Sequence, residues 1–175
     1  MTHVETWSLA RARDEADAVF AVYHAVFGDV PDVAEWRLTT YERHVNRRGF
    51  RLVAGVDGES LVGFAYGYVG ERGQYWSDRV AAVLAAEVVE EWVGEHFEFV
   101  ELGVLPSHRG RGLGTRLHDA LMDGVPGDRA LLGTADDPHD PAVRLYRSRG
   151  WRKLGNLEPD VQVMGLKLSA ARVAP

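Results

Sequence analysis

A chain of 175 residues fits one domain, at about 150 residues per domain, so residues 1–175 are read as a single unit of function. Hydrophobic residues at 46% and charged residues at 26% match ordinary globular composition and exclude fibrous, repetitive or disordered chains. Lys plus Arg number 20 against 26 Asp plus Glu, a net charge of -6 without a basic block, which argues against a general nucleic-acid binder held by counterion release. Cysteine is absent, so disulfides, thiolate nucleophiles and cysteine-held zinc or iron–sulfur groups are excluded. The first residues lack the basic start and apolar core of a signal peptide, and no stretch reaches about 18 apolar residues. The expectation is a soluble, cytoplasmic protein with no membrane partner.

Residues 2–9 read as a strand. A helix follows from Asp14 to Phe27, with Ala18, Val19, Val22, Ala25 and Val26 at helical spacing and Gly28 as its stop. Asp32 is placed to cap a second helix toward Asn46. Phe50–Val56 and Ser60–Val69 are β-rich runs joined by Asp57-Gly58-Glu59, a hairpin pattern. Within the second run Gly63, Ala65 and Gly67 leave one face flat, either for close packing or for a ligand. Glu71–Trp76 is expected to be a loop, and a single helix is expected from Asp78 to Gly94. Phe97–Leu105 is a strand that turns out at Pro106-Ser107-His108. Gly112–Met122 is an amphipathic helix ended by Gly124. Ala130–Thr134 is a strand, Asp140-Pro141 caps and opens a helix that closes at Arg149-Gly150, and two last runs suggest a hairpin. The order is α+β with a central mixed sheet.

The segment from Val100 to Thr115 carries the chemistry. Glycines at 110, 112 and 114 let backbone approach a ligand, and the amides that open the next helix suit phosphates. Between residues 101 and 118 the arginines 109, 111 and 116 face one carboxylate, Glu101, so the local sign also favours an anion. A P-loop would need Gly-Lys-Ser/Thr, and no lysine stands here. A dinucleotide fingerprint counted from Gly110 needs glycine where Thr115 stands. The residues spell Arg-x-x-Gly-x-Gly from Arg109 to Gly114.

That pattern resembles the acyl-CoA-binding motif of the GNAT superfamily of N-acyltransferases. A second segment, Pro141-Ala142-Val143-Arg144-Leu145-Tyr146-Arg147-Ser148-Arg149-Gly150-Trp151, is similar to the superfamily's later helix, and Tyr146 lies 37 positions after Arg109. The resemblance implies a central mixed, mostly antiparallel sheet with helices on both faces and a splayed parallel strand pair, with acetyl-CoA as co-substrate in the resulting cleft. Carried onto this chain, it implies that the amides of Arg109, Gly110, Arg111, Gly112, Leu113 and Gly114, with Thr115 beside them, hold the pyrophosphate. Leu102, Gly103 and Val104 would pair with the pantetheine arm, the Val104 amide polarising the thioester carbonyl. Tyr146 stands where the family often has the acid that protonates the leaving thiolate. Seven residues earlier, where the family frequently has Asn, this chain has His139, which is expected to donate a hydrogen bond to the same ligand.

Attack by an amine needs an uncharged nucleophile, so a base or a water chain must first remove a proton. Glu98 and Glu101 are the strand candidates. They differ by three positions and so point to opposite faces of a regular strand; Glu101 is preferred because it lies closer to the thioester end. The remaining histidines form no metal-binding spacing, and no metal is expected. The expected activity is transfer of acetyl from acetyl-CoA to a primary amine of a small cationic acceptor by direct attack. The alternatives are a GNAT-fold protein that binds acyl-CoA as a regulator without catalysis, and an unrelated nucleotide-binding domain. A homodimer is expected only from the frequency of twofold oligomers.

Overall fold

The computed structural model describes residues 1–169. Among the described residues seven strands, hydrogen-bonded in the order β1-β2-β3-β4-β5-β7-β6, and eight short α-helices follow one another: β1 (His3–Trp7), α1 (Leu9–Asp14), α2 (Ala16–Val26), α3 (Val33–Trp36), α4 (Glu42–Val45), β2 (Arg51–Asp57), β3 (Ser60–Gly70), α5 (Tyr75–Val83), α6 (Ala86–Trp92), β4 (His96–Val104), α7 (Leu113–Met122), β5 (Arg129–Ala135), α8 (Pro141–Ser148), β6 (Arg152–Glu158) and β7 (Val161–Lys167). The described residues form two compact units: residues 1–68 with 100–123, and residues 69–99 with 124–169.

In the first unit β1, β2 and β3 pair antiparallel, and Gly58 takes a φ of 62° in the hairpin turn that Asp57-Gly58-Glu59 announces. Alternate strand residues cover opposite faces. Leu52, Ala54, Phe64 and Tyr66 join Val19, Val22, Trp36 and Tyr41 in one buried cluster. On the other face, a Cβ on Gly55 would lie 3.0 Å from Leu113 of α7, and one on Gly63 would lie 3.0 Å from the Gly103 carbonyl and 3.1 Å from Leu117. The flat face of β3 therefore serves close packing. Leu117 is fully buried in that seam, so Leu117→Ala should destabilise the protein by about 3 kcal/mol, read as a lower urea midpoint at unchanged slope.

Three helical expectations need correction. The first helix starts earlier, at Leu9, where the Ser8 side chain accepts from the Arg11 amide, and it breaks at Glu15 before α2. Asp32 does cap α3 through the Glu35 amide, but residues 37–41 form a π-turn between α3 and α4. Trp36 and Tyr41 are both buried and stack at 4.5 Å. Residues five apart on an α-helix diverge by about 140°, so placing both rings in the core selects the wider turn. The expected helix from Asp78 to Gly94 is two helices, with Leu84 extended between them; the Leu84 side chain occupies the place a Cβ on Gly155 would take.

In the second unit β4 and β5 run parallel through only two pairs, Phe97 with Ala130 and Glu98 with Leu131, although the strands have nine and seven residues. β5, β7 and β6 continue antiparallel. The mixed sheet with a short-paired parallel strand couple is the fold class expected above. Among the described residues no helix is long and apolar enough to cross a membrane.

Candidate active site

β4 leaves the sheet through Pro106-Ser107-His108, a single 3-10 turn, and the chain then makes the glycine turn. Gly110 and Gly112 take φ of 72° and 75°, conformations that favour glycine. A Cβ at either would meet nothing within 4 Å, so the turn is open on its outer side. Gly112 is the N-cap of the ten-residue α7 and brings no side chain to cap it, which leaves the helix's first amides and positive dipole end available to an anion. Arg109 folds back, its Nε donating to the Val104 carbonyl at 2.9 Å, and so braces the turn against the strand end. Arg111 is exposed. Leu113 is buried beneath the turn, with Gly114 and Thr115 half-buried above it. These features fit a diphosphate held by backbone amides.

The strand stem of the turn belongs to the same unit. The Leu105 amide donates to the Val62 carbonyl at 2.9 Å, tying the stem to β3. A Cβ on Gly103 would lie 3.2 Å from Phe64 and 3.7 Å from Phe27, so backbone without a side chain is what the packing admits there. Leu102 and Val104 are half-buried. Glu101 is partly covered, and its carboxyl is pushed up to about 8, first by burial and then by the negative charge of Asp29. Tyr23 and Tyr66 lie in the same electrostatic neighbourhood: burial first, and the Glu101 charge next, push both phenols above their usual range. The Tyr23 hydroxyl donates to Asp29 Oδ2 at 3.0 Å, and the Tyr66 hydroxyl lies 2.9 Å from His44 Nδ1. Burial, ahead of the charges of Arg47 and Arg43, lowers His44 to about 4, so it is neutral at physiological pH.

The other sequence candidates belong to the second unit. Tyr146 is 6% exposed; its ring meets Phe99 edge-on at 5.9 Å and Trp151 at 6.0 Å. Its helix opens as the sequence indicated, with Asp140 Oδ1 accepting from the Ala142 amide at 2.7 Å. Glu98 is buried at 5% exposure. His139 is exposed and its amide donates to Asp137 Oδ1 at 2.8 Å. The sequence reading missed Tyr23, Asp29 and His44. Each lies in a segment without a motif, at least 57 positions from Glu101; in the folded chain Tyr23 and Asp29 come within its electrostatic reach, and His44 meets Tyr66.

Comparison with known proteins gives the family. The sequence model of the Acetyltransferase (GNAT) family matches residues 14–151. A GCN5-like protein acetyltransferase of Mycobacterium tuberculosis is 30% identical over 144 residues, which cover 66% of this chain and 70% of that protein. The ribosomal-protein-S18-alanine N-acetyltransferase of Escherichia coli superposes with a TM-score of 0.65 at 16% identity, over 99% of this chain and 97% of that one. The PaiA N-acetyltransferase of Thermoplasma acidophilum, solved in complex with coenzyme A, superposes with a TM-score of 0.58 at 11% identity, over 96% of this chain and 99% of that one. With both motif segments inside the matched range, the chain belongs to the acetyltransferase (GNAT) family.

Proposed function

We propose that residues 1–175 act as one catalytic domain that transfers acetyl from acetyl-CoA to a primary amine by direct attack. The observation that carries this reading is the turn at Gly110 and Gly112, open where side chains would stand, at the start of α7, which no side chain caps. Backbone amides there hold the diphosphate, and the Val104 amide polarises the thioester carbonyl. The acceptor arrives as an ammonium. Glu101 takes its first proton, and the freed lone pair forms the new nitrogen–carbon bond. As the carbon–sulfur bond breaks, Tyr146 gives its phenolic proton to the leaving thiolate. The second amine proton leaves to solvent, the tyrosinate takes a proton back from solvent, and Glu101 releases the one it took, so the net products are the amide, the free thiol and one proton. A carboxyl at about 8 is well matched to an amine that titrates near 8, as an α-amino group does.

The name of the Mycobacterium relative refers to proteins as acceptors, so peptide amines are the first to try, beside polyamines and other small cationic amines. The test is thiol release from acetyl-CoA with each amine in turn. Thiol release that depends on an amine, with acetyl found on that amine by mass spectrometry, is the expected result; thiol release with none of them overturns the reading. Tyr146→Phe should lower kcat about 100-fold, the scale of a lost general acid, while the thermal midpoint moves little because the ring packing against Phe99 and Trp151 is kept. An unchanged kcat would make Tyr146 a packing residue only.

A further inference from the structure

The segment between α2 and α3 has no part in the chemistry just described, yet it carries a fixed charge toward it. Gly28 turns the chain with a φ of 66°, and Phe27 before it sits 3.7 Å from where a Gly103 side chain would begin. That contact sets Phe27 against Gly103 of β4. Asp29 follows and is exposed, but it is not loose: the hydroxyl of Tyr23, itself 5% exposed, donates to its Oδ2 at 3.0 Å. Its free oxygen keeps its acceptor capacity. Glu101 also acts on Tyr23 of α2 and Tyr66 of β3, both phenols raised, and beyond Tyr66 lies His44 of α4, held neutral by burial ahead of the charges of Arg47 and Arg43. Asp29 is the negative charge that acts on Glu101, and the Tyr23 hydroxyl holds it in place.

We propose that Asp29 is a specificity-determining residue that seats the acceptor's ammonium beside Glu101 and selects amines with no carboxylate next to the amino group. This rests on the acetyltransferase reading above and deepens it. An ammonium entering the site meets the Asp29 carboxylate for pairing and the ionised form of Glu101, which takes its proton. An α-carboxylate on the acceptor would be brought against Asp29, and like charges in juxtaposition are strongly disfavoured. The substrate class that fits is an amine whose neighbouring carbon is neutral, such as the amino end of a peptide or a plain alkyl or aryl-alkyl amine, rather than a free amino acid.

Two matched pairs test this, each differing by the carboxylate: alaninamide against alanine, and tyramine against tyrosine. For wild type and Asp29→Asn, kcat/KM is measured for each compound, and the quantity compared is the change in ratio within a pair, which cancels any difference in basicity. The ratio should fall about 10-fold in Asp29→Asn, chiefly because KM for the neutral-carbon amine rises, and Asp29→Glu should restore most of it. Removing the anion should also move the acid limb of the pH profile to lower pH, since Glu101 then ionises more easily. Acetyl-CoA affinity, followed by calorimetry, should stay within about 2-fold and shows that the fold is intact. A uniform loss of rate with unchanged ratios and an unmoved pH limb would overturn the proposal. So would turnover of other amines with none of alaninamide or tyramine, which would leave the acetyltransferase reading standing; thiol release with no amine at all would instead sink that reading.

Discussion

Gly112→Asp should weaken acetyl-CoA binding by at least about 100-fold. The glycine starts α7 in the left-handed region with open space beyond its Cα, so an introduced carboxylate would stand where the diphosphate is expected. It would cap the helix amides itself, as aspartate does at helix starts, and repel the incoming anion. Charge-assisted hydrogen bonds are worth about 1.5–3 kcal/mol each, and about 1.4 kcal/mol is tenfold in affinity, so losing two gives the stated effect without counting the repulsion. Gly112→Asn separates charge from strain. Asparagine tolerates a positive φ better than most residues and has nearly the same shape, so it should bind acetyl-CoA much more tightly than the aspartate variant. Calorimetric titration of both reads the difference. Equal loss in the two would mean that backbone conformation, not the sign of charge, governs the turn.

Glu101→Gln should lower kcat/KM about 100-fold at pH 8, within the range for a general base. It should also flatten the acid limb of the pH profile, which in wild type is expected to rise about tenfold for each pH step below 8 because the carboxyl is held at about 8 by burial and then by Asp29. Stability gives an independent reading. In the unfolded chain the carboxyl releases its proton near its usual 4.5, but in the folded protein it keeps it to about 8. Between those values the folded state binds more protons, so stability falls as pH rises through this window. Glutamine cannot ionise, and the variant should match wild type near pH 4 yet exceed it at pH 9 by about 2 kcal/mol, a figure reduced for partial solvent access. Urea melts at the two pH values read this directly. A variant that is fully active and no more stable at high pH would remove Glu101 from the chemistry.

The parts of the fold that local chemistry decides were readable in the residues. Asp57-Gly58 makes a turn, Asp140 followed by Pro141 opens a helix, and the apolar spacing of Leu113, Leu117 and Leu121, all buried, makes α7 a core helix. The Arg-x-x-Gly-x-Gly turn was readable because an anion cradle needs glycines at fixed places on one short segment. What escaped depends on contacts distant in sequence. No breaker marks Leu84 and Ala85, yet the helix stops there because Gly155 leaves room for the Leu84 side chain. No local signal widens the turn at 37–41; the stacking of Trp36 on Tyr41 does. Glu101 was named from its place on the strand, but Asp29 escaped for the same reason as the turn, since it shares no motif with Glu101 and acts on it only in the folded chain.

Calorimetric titration of the purified wild-type protein with acetyl-CoA tests the central claim most directly. Saturable micromolar binding, about -8 kcal/mol, is expected. A folded protein that takes up neither acetyl-CoA nor longer acyl-CoAs at millimolar concentration would contradict it.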